Sequence, residues 1–159
     1  MKTIFHGGTE IVERPRVDVG REGLDFGRGF YATERMEQAR SWADRNSRQR
    51  LISPVVNEYF FDDSKAKEGF KFRVFAEYNI EWLDFIVRCR GGYDPSSEYD
   101  YIEGGVANDR VIDTVEGYIN GTIDAGHALI ELSKHQPNHQ ICFLNQEVIE
   151  KCVIFMKAI

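Results

Sequence analysis

Short apolar runs, some alternating and some continuous, are separated by glycine, proline and charged stretches, a pattern that predicts alternating strands and helices. Residues 2–6, KTIFH, read as a first strand that stops at Gly7 and Gly8. After a loop containing Pro15 and Gly20, Thr33 is placed to cap a helix over about residues 34–48. Glu34 and Glu37 fall in its first turn, and Met36, Ala39 and Ala43 follow at helical spacing. PVVNEYFF is strand-like, and FKFRVFAEY sets Phe70, Phe72 and Val74 against Lys71, Arg73 and Phe75, the period of a half-buried strand. Glu81 to Arg90 reads as a helix stopped by Gly91 and Gly92. YDYIEGGVAND predicts a short strand and turn, and helical patterns follow over about 110–120 and 124–134. Pro137 separates the second of these from the strand HQICFLN, and a terminal helix or turn and VIFMKAI complete the chain. The fold class expected is α+β, with strands at both ends of the sequence.

Length and composition bound this picture without changing it. A chain of 159 residues fits one domain, and at that size roughly two-thirds of the unfolded surface can be buried. The composition, 42% hydrophobic and 29% charged, is that of a soluble globular protein. No apolar run suits a signal peptide or reaches the length of about 18 residues that a membrane span needs, so a cytoplasmic protein without a membrane partner is expected. Cys89, Cys142 and Cys152 lack CxxC spacing and read as small core residues. His127, His135 and His139 form no metal-ligand spacing with a cysteine or carboxylate pair, and no metal is expected.

Charge is uneven. The net charge is −6, yet residues 1–50 hold ten Lys or Arg against eight Asp or Glu, leaving +2 there and −8 in the rest. Arg35, Arg40, Arg45, Arg48 and Arg50 crowd one stretch, either as a solvated helix face or to meet an anionic ligand.

Two glycine-framed stretches carry candidate chemistry. In Gly27-Arg28-Gly29-Phe30-Tyr31, glycine permits a left-handed turn and close approach of a ligand to backbone, and an aromatic after the turn can offer its ring face. The competing role for Phe30 and Tyr31 is ordinary core. In His6-Gly7-Gly8, an imidazole leaving a strand stands beside open backbone groups, and its competing role is structural.

Taken in order, FHGG, GRGFY and the late NHQICF resemble the three-part signature of the ADP-ribosyltransferase superfamily, in the His-Tyr-Glu branch that includes poly(ADP-ribose) polymerases and diphtheria toxin. A closer resemblance is to a small bacterial family of unknown function with DFGxGFY near the start, a VAND segment and a late QxxF strand. It spans nearly the whole chain. The resemblance implies a split α+β fold of two packed sheets flanked by helices, with NAD as substrate. His6 would hydrogen-bond the adenosine-side ribose, the Gly7 backbone would hold the nicotinamide carboxamide, and Gly29 belongs to the turn that opens for NAD. Tyr31 would lie against nicotinamide, and Trp42, eleven residues later, would be the second stacking aromatic, with helix core as its alternative. Neither a P-loop nor a Rossmann fingerprint is present.

The third motif departs from the pattern, because the position of the family's strand glutamate holds Gln140. Glutamine can hydrogen-bond ribose but brings no negative charge to a developing oxocarbenium ion. Gln140 either positions ribose while Glu147, Asp109 or a substrate atom supplies charge, or supports slow chemistry, or marks a protein that binds NAD without turnover; an ordinary buried amide is the fourth reading. Arg21, Asp25, Asn108 and Asp109 are second-tier candidates for the acceptor side, with helix capping the alternative for Asn108 and Asp109. The leading expectation is a bacterial mono-ADP-ribosyltransferase that cleaves NAD and modifies an unidentified macromolecule, in the role of an intracellular toxin or regulator, and analogy with small intracellular toxins implies a neutralising partner protein. Its rivals are a nucleotide-binding module and an interaction domain with a vestigial cleft.

Overall fold

The computed structural model describes residues 1–107, 111–135 and 138–159. It is mixed α+β, with two sheets and six α-helices among the described residues. In chain order the elements are β1 (Lys2–Gly8), β2 (Phe30–Ala32), α1 (Met36–Arg50), β3 (Val55–Phe61), α2 (Asp63–Gly69), β4 (Phe72–Val74), α3 (Ile80–Arg90), β5 (Tyr101–Gly104), α4 (Ile112–Ile119), α5 (Ala125–Leu132), β6 (Gln140–Phe143), α6 (Gln146–Cys152) and β7 (Val153–Ala158). One sheet has the order β1-β3-β7 and is antiparallel. The other has the order β2-β6-β5-β4, antiparallel except for the β4–β5 pair. A bridge between Phe5 and Thr33 ties the two sheets together.

Strand alternation divides the core. Ile102 and Cys142, paired across β5 and β6, join Phe26, Trp82, Leu83, Ile86, Val115 and Leu132 beneath the central helices. Tyr101, Ile141 and Phe143 point to the opposite face and meet Ile4, Tyr59 and Phe61 of the first sheet. There Phe61 stands edge-on to both Phe143 and Tyr101, with ring centres 5.1 and 5.7 Å apart, and such pairs add about 0.5–1.5 kcal/mol each beyond area burial. The three cysteines are buried and unpaired; burial pushes the Cys89 thiol up to about 12, so it stays a neutral packing group.

Several expectations are corrected. β1 does not stop at Gly7 but pairs through Gly7 and Gly8 with Val56 and Val55. Thr33 is not the helix cap: its backbone bridges Phe5, its Oγ1 accepts from the Arg35 N–H, and α1 begins only at Met36. Met36 lies outside the buried stripe, which holds Ala39 and Ala43. In FKFRVF the faces are inverted, with Phe72 and Val74 exposed on a three-residue strand and Phe75 buried beyond it. The helix α2 carries one buried residue, Ala66, too little apolar period to be read from sequence; Asp62 caps it by accepting from the Lys65 N–H. Pro137 lies outside the described residues.

Residues 9–29 form neither helix nor strand. This connection is longer than most in compact domains, and it is pinned rather than loose. Asn57, fully buried, accepts from the Val12 N–H and donates to the Glu10 carbonyl, and the Tyr59 hydroxyl donates to the Val12 carbonyl at 2.6 Å. Gln146 holds Pro15 and Val17 in the same way. No helix among the described residues is long and apolar enough to cross a membrane.

Candidate functional site

Gly7 brings the first helix to the site. A Cβ built at Gly7 would fall 1.8 Å from the Ala39 carbonyl oxygen and 2.9 Å from the Ala43 nitrogen. Only a residue without a side chain allows α1 to lie this close to β1. Trp42, on the turn between Ala39 and Ala43, is half-buried and lines a cavity of about 320 Å³ instead of joining the core. His6, Gly7, Arg21, Asp25, Tyr31 and Gln140 line the same cavity, together with Leu24, Asn46, Arg90, Val106 and Ala107. A second cavity of about 380 Å³ shares His6, Gly7 and Asn46 with the first and runs on to Thr9, Glu10 and Arg50. The two make one extended cleft within the size range of small-molecule sites.

His6 has a defined polarity. Its Nδ1 lies 2.7 Å from the Tyr31 carbonyl oxygen, which can only accept, so Nδ1 carries the proton and Nε2 is left as an acceptor. Burial lowers the His6 pKa, outweighing the opposing effect of that backbone hydrogen bond, and keeps the ring neutral near pH 7. Phe30 supports it, ring centre to ring centre at 4.5 Å.

Tyr31 contributes a ring rather than a hydroxyl. Its O–H donates to the Gly27 carbonyl at 2.6 Å and accepts from the Phe26 N–H at 3.0 Å, closing the turn over itself. Burial raises its pKa well above the usual value, so the phenol stays protonated. Of the two turn glycines, Gly27 adopts φ +84°, the left-handed region. Gly29 has a different reason to be glycine: a Cβ there would meet the Phe143 carbonyl oxygen at 2.5 Å and Cys142 Sγ at 2.6 Å. It seats β2 on β6 and does not line the cavity.

The deepest polar groups are Gln140 and Asp25, 3% and 8% exposed. Gln140 Nε2 donates to Asp25 Oδ2 at 3.2 Å and to the Gly105 carbonyl at 3.1 Å. Asp25 Oδ1 accepts from Arg90 Nε at 3.0 Å and Nη2 at 2.8 Å, while Oδ2 also accepts from the Ala107 N–H at 2.9 Å. Gly105 is held from behind by Trp82, whose Nε1–H donates to the same carbonyl at 3.0 Å. Four donors on one carboxylate, drawn from three separate segments, make a rigid polar floor. Arg21 and Arg90 against Asp25 leave the described lining of this cavity with one excess positive charge, in a chain whose net charge is −6.

Glu147 is not available to supply charge here. It sits in the first turn of α6, exposed and 3.2 Å from Lys151 Nζ, and is not part of the cavity. Asn108 and Asp109 lie outside the described residues. Sequence reasoning missed Arg90, Asn46 and Ala107. Arg90 reads from sequence as the basic end of a helix, and nothing local signals a partner 65 residues earlier. Among the described residues no group of three His, Cys, Asp or Glu side chains is arranged to hold a metal ion.

No curated protein and no solved structure matches the chain. A family described as a protein of unknown function (DUF3990) matches residues 2–155. The match takes in every element that builds the cleft, from His6 on β1 to Gln140 on β6, and the chain belongs to that family.

Proposed function

We propose that the cleft binds NAD and that the protein is a mono-ADP-ribosyltransferase with the two-sheet fold of that superfamily. The observation that carries this reading is the convergence of His6, Tyr31, Trp42 and Gln140, from four separate elements, on one cavity of about 320 Å³. Neutral His6 offers an acceptor to a ribose hydroxyl. Tyr31 and Trp42 offer aromatic surface to a flat heteroaromatic ring. The excess positive charge and the adjoining lobe with Arg50 suit the diphosphate and second nucleoside of a dinucleotide.

In the reaction the bond between ribose C1′ and the nicotinamide nitrogen breaks, and nicotinamide leaves with the electron pair. An oxygen or nitrogen of the acceptor bonds to C1′ and gives up its proton to solvent or a base. The protein's part is to hold the two ends of NAD and to stabilise positive charge on the ribose as the bond opens. A macromolecular acceptor, a cytoplasmic setting and a neutralising partner protein belong to this reading through the resemblance of the motifs.

The second reading is an NAD-binding module without turnover, favoured by the neutral amide at position 140. The test is nicotinamide release from labelled NAD by purified protein in bacterial lysate, beside Tyr31→Ala and Gln140→Ala. Label moving to a macromolecule, and lost in both variants, supports the transferase. Tight binding without release supports the module, and no binding at all sinks both.

A further inference from the structure

Gln140 is an amide where the resembled signature has a carboxylate, and its surroundings supply a physical reason. Its Nε2 faces two acceptors, Asp25 Oδ2 and the Gly105 carbonyl. A glutamate in the same pose would offer neither of them a proton, and would set two carboxylates about 3 Å apart, where both cannot remain ionised. Asp25 meanwhile has what an ionised carboxylate needs. Both oxygens are occupied by donors, from Arg90, Ala107 and Gln140, and the residue is buried.

We propose that Asp25 carries the negative charge of the site as a positioning residue, and that position 140 is an amide because this carboxylate stands beside it. The N–H of Gln140 donates to Asp25, which draws the amide dipole into line and strengthens Oε1 as an acceptor. Gln140 then meets the ligand with an oxygen, as a glutamate would, while the charge behind it sits on Asp25. Among the described residues, the other charged or titratable groups that line the cavity with the pair are Arg21 and Arg90, His6 on β1 and Tyr31 on β2, and Tyr78, Cys89 and Cys142 lie near enough to feel Asp25. After burial, which is the larger cause, the charge of Asp25 also helps to push up the Tyr31, Tyr78, Cys89 and Cys142 groups.

The role of this pair in catalysis rests on the NAD reading; the placement of the charge does not. The experiment therefore has two arms on four proteins, the wild type, Asp25→Asn, Gln140→Glu and the double variant that exchanges the two groups. The first arm measures thermal stability without ligand from about pH 5 to about pH 8. Gln140→Glu is expected to lose stability relative to wild type increasingly as pH rises, because its two carboxylates share one proton. His6 lines the same cavity and titrates in this range, so the comparison is repeated on a His6→Gln background, where the slope of Gln140→Glu is expected to persist. The double variant has one carboxylate again, and the part of that slope due to the shared proton disappears.

The second arm measures NAD cleavage. Asp25→Asn is expected to lower kcat about tenfold or more with little change in KM, and the double variant to recover part of that loss. A Gln140→Glu protein as stable as wild type at about pH 8, and faster, overturns the proposal. So does an Asp25→Asn protein with wild-type kcat. If Asp25→Asn does not fold, the pH slope of Gln140→Glu alone still decides. If the wild type neither binds nor cleaves NAD, the functional reading falls while the first arm still reports where the charge lies.

Discussion

Replacing Gly7 by alanine tests the packing that places Trp42 at the cleft. The added Cβ would lie 1.8 Å from the Ala39 carbonyl oxygen, against about 3.5 Å for ordinary contact, so α1 must move away by roughly 1.5–2 Å. Neither side can yield locally, because Gly7 is paired to Val56 and the obstructing atoms are helix backbone. Opening this seam uncovers Ala39, Ala43 and Val56, all fully buried. The cost expected is about 3 kcal/mol, the upper end for overpacking, or a fall in Tm of roughly 6–12 °C for a chain of this size. Urea unfolding followed by circular dichroism gives the stability, and tryptophan fluorescence reports the displaced Trp42. Loss of stacking worth about 0.5–1.5 kcal/mol should weaken NAD roughly two- to tenfold by calorimetry. A Gly7→Ala protein within about 0.5 kcal/mol of wild type would refute the packing argument. A destabilised protein with unchanged NAD affinity would remove Trp42 from the site.

Other perturbations follow from the same geometry. Arg90→Met leaves the Asp25 carboxylate buried beside only the Ala107 and Gln140 donors, and should cost about 3–5 kcal/mol by urea denaturation at neutral pH. Tyr31→Phe keeps the ring but strands the Phe26 N–H and the Gly27 carbonyl; it should cost about 1–3 kcal/mol while retaining NAD binding, whereas Tyr31→Ala loses binding. Because burial depresses the folded-state pKa of His6, the unfolded chain binds more protons there. Its contribution to stability is present above the unfolded value of about 6.5 and is lost as pH falls towards the folded value. His6→Gln should remove that part of the acid-side slope in Tm against pH. Asn57→Ala breaks the hold on Val12 and Glu10, and should raise amide exchange across residues 9–29 before that of β3.

The periodic segments were legible in the sequence because local propensity and tertiary demand agree there. VVNEYFF, EWLDFIVRCR and QICF carry runs that bury as strand, helix and strand wherever they are placed. The FHGG and GRGFY stretches announced where backbone must come close, since glycine is the one residue that permits it. Which neighbour requires each glycine was not legible: Gly7 answers to α1 and Gly29 to β6, far along the chain. Phe72, Val74 and Phe75 do alternate, but which of the two faces meets the core was decided by how β4 packs beside β5. The site divides in the same way. His6, Tyr31 and Trp42 could be proposed from residue type and spacing, and Gln140 could be seen as a departure. Only the tertiary structure set the Asp25 carboxylate between Arg90 and Gln140, 65 and 115 residues away. A pattern along the chain records each segment's own need for burial, whereas a buried charge is satisfied by whichever donors the fold brings to it.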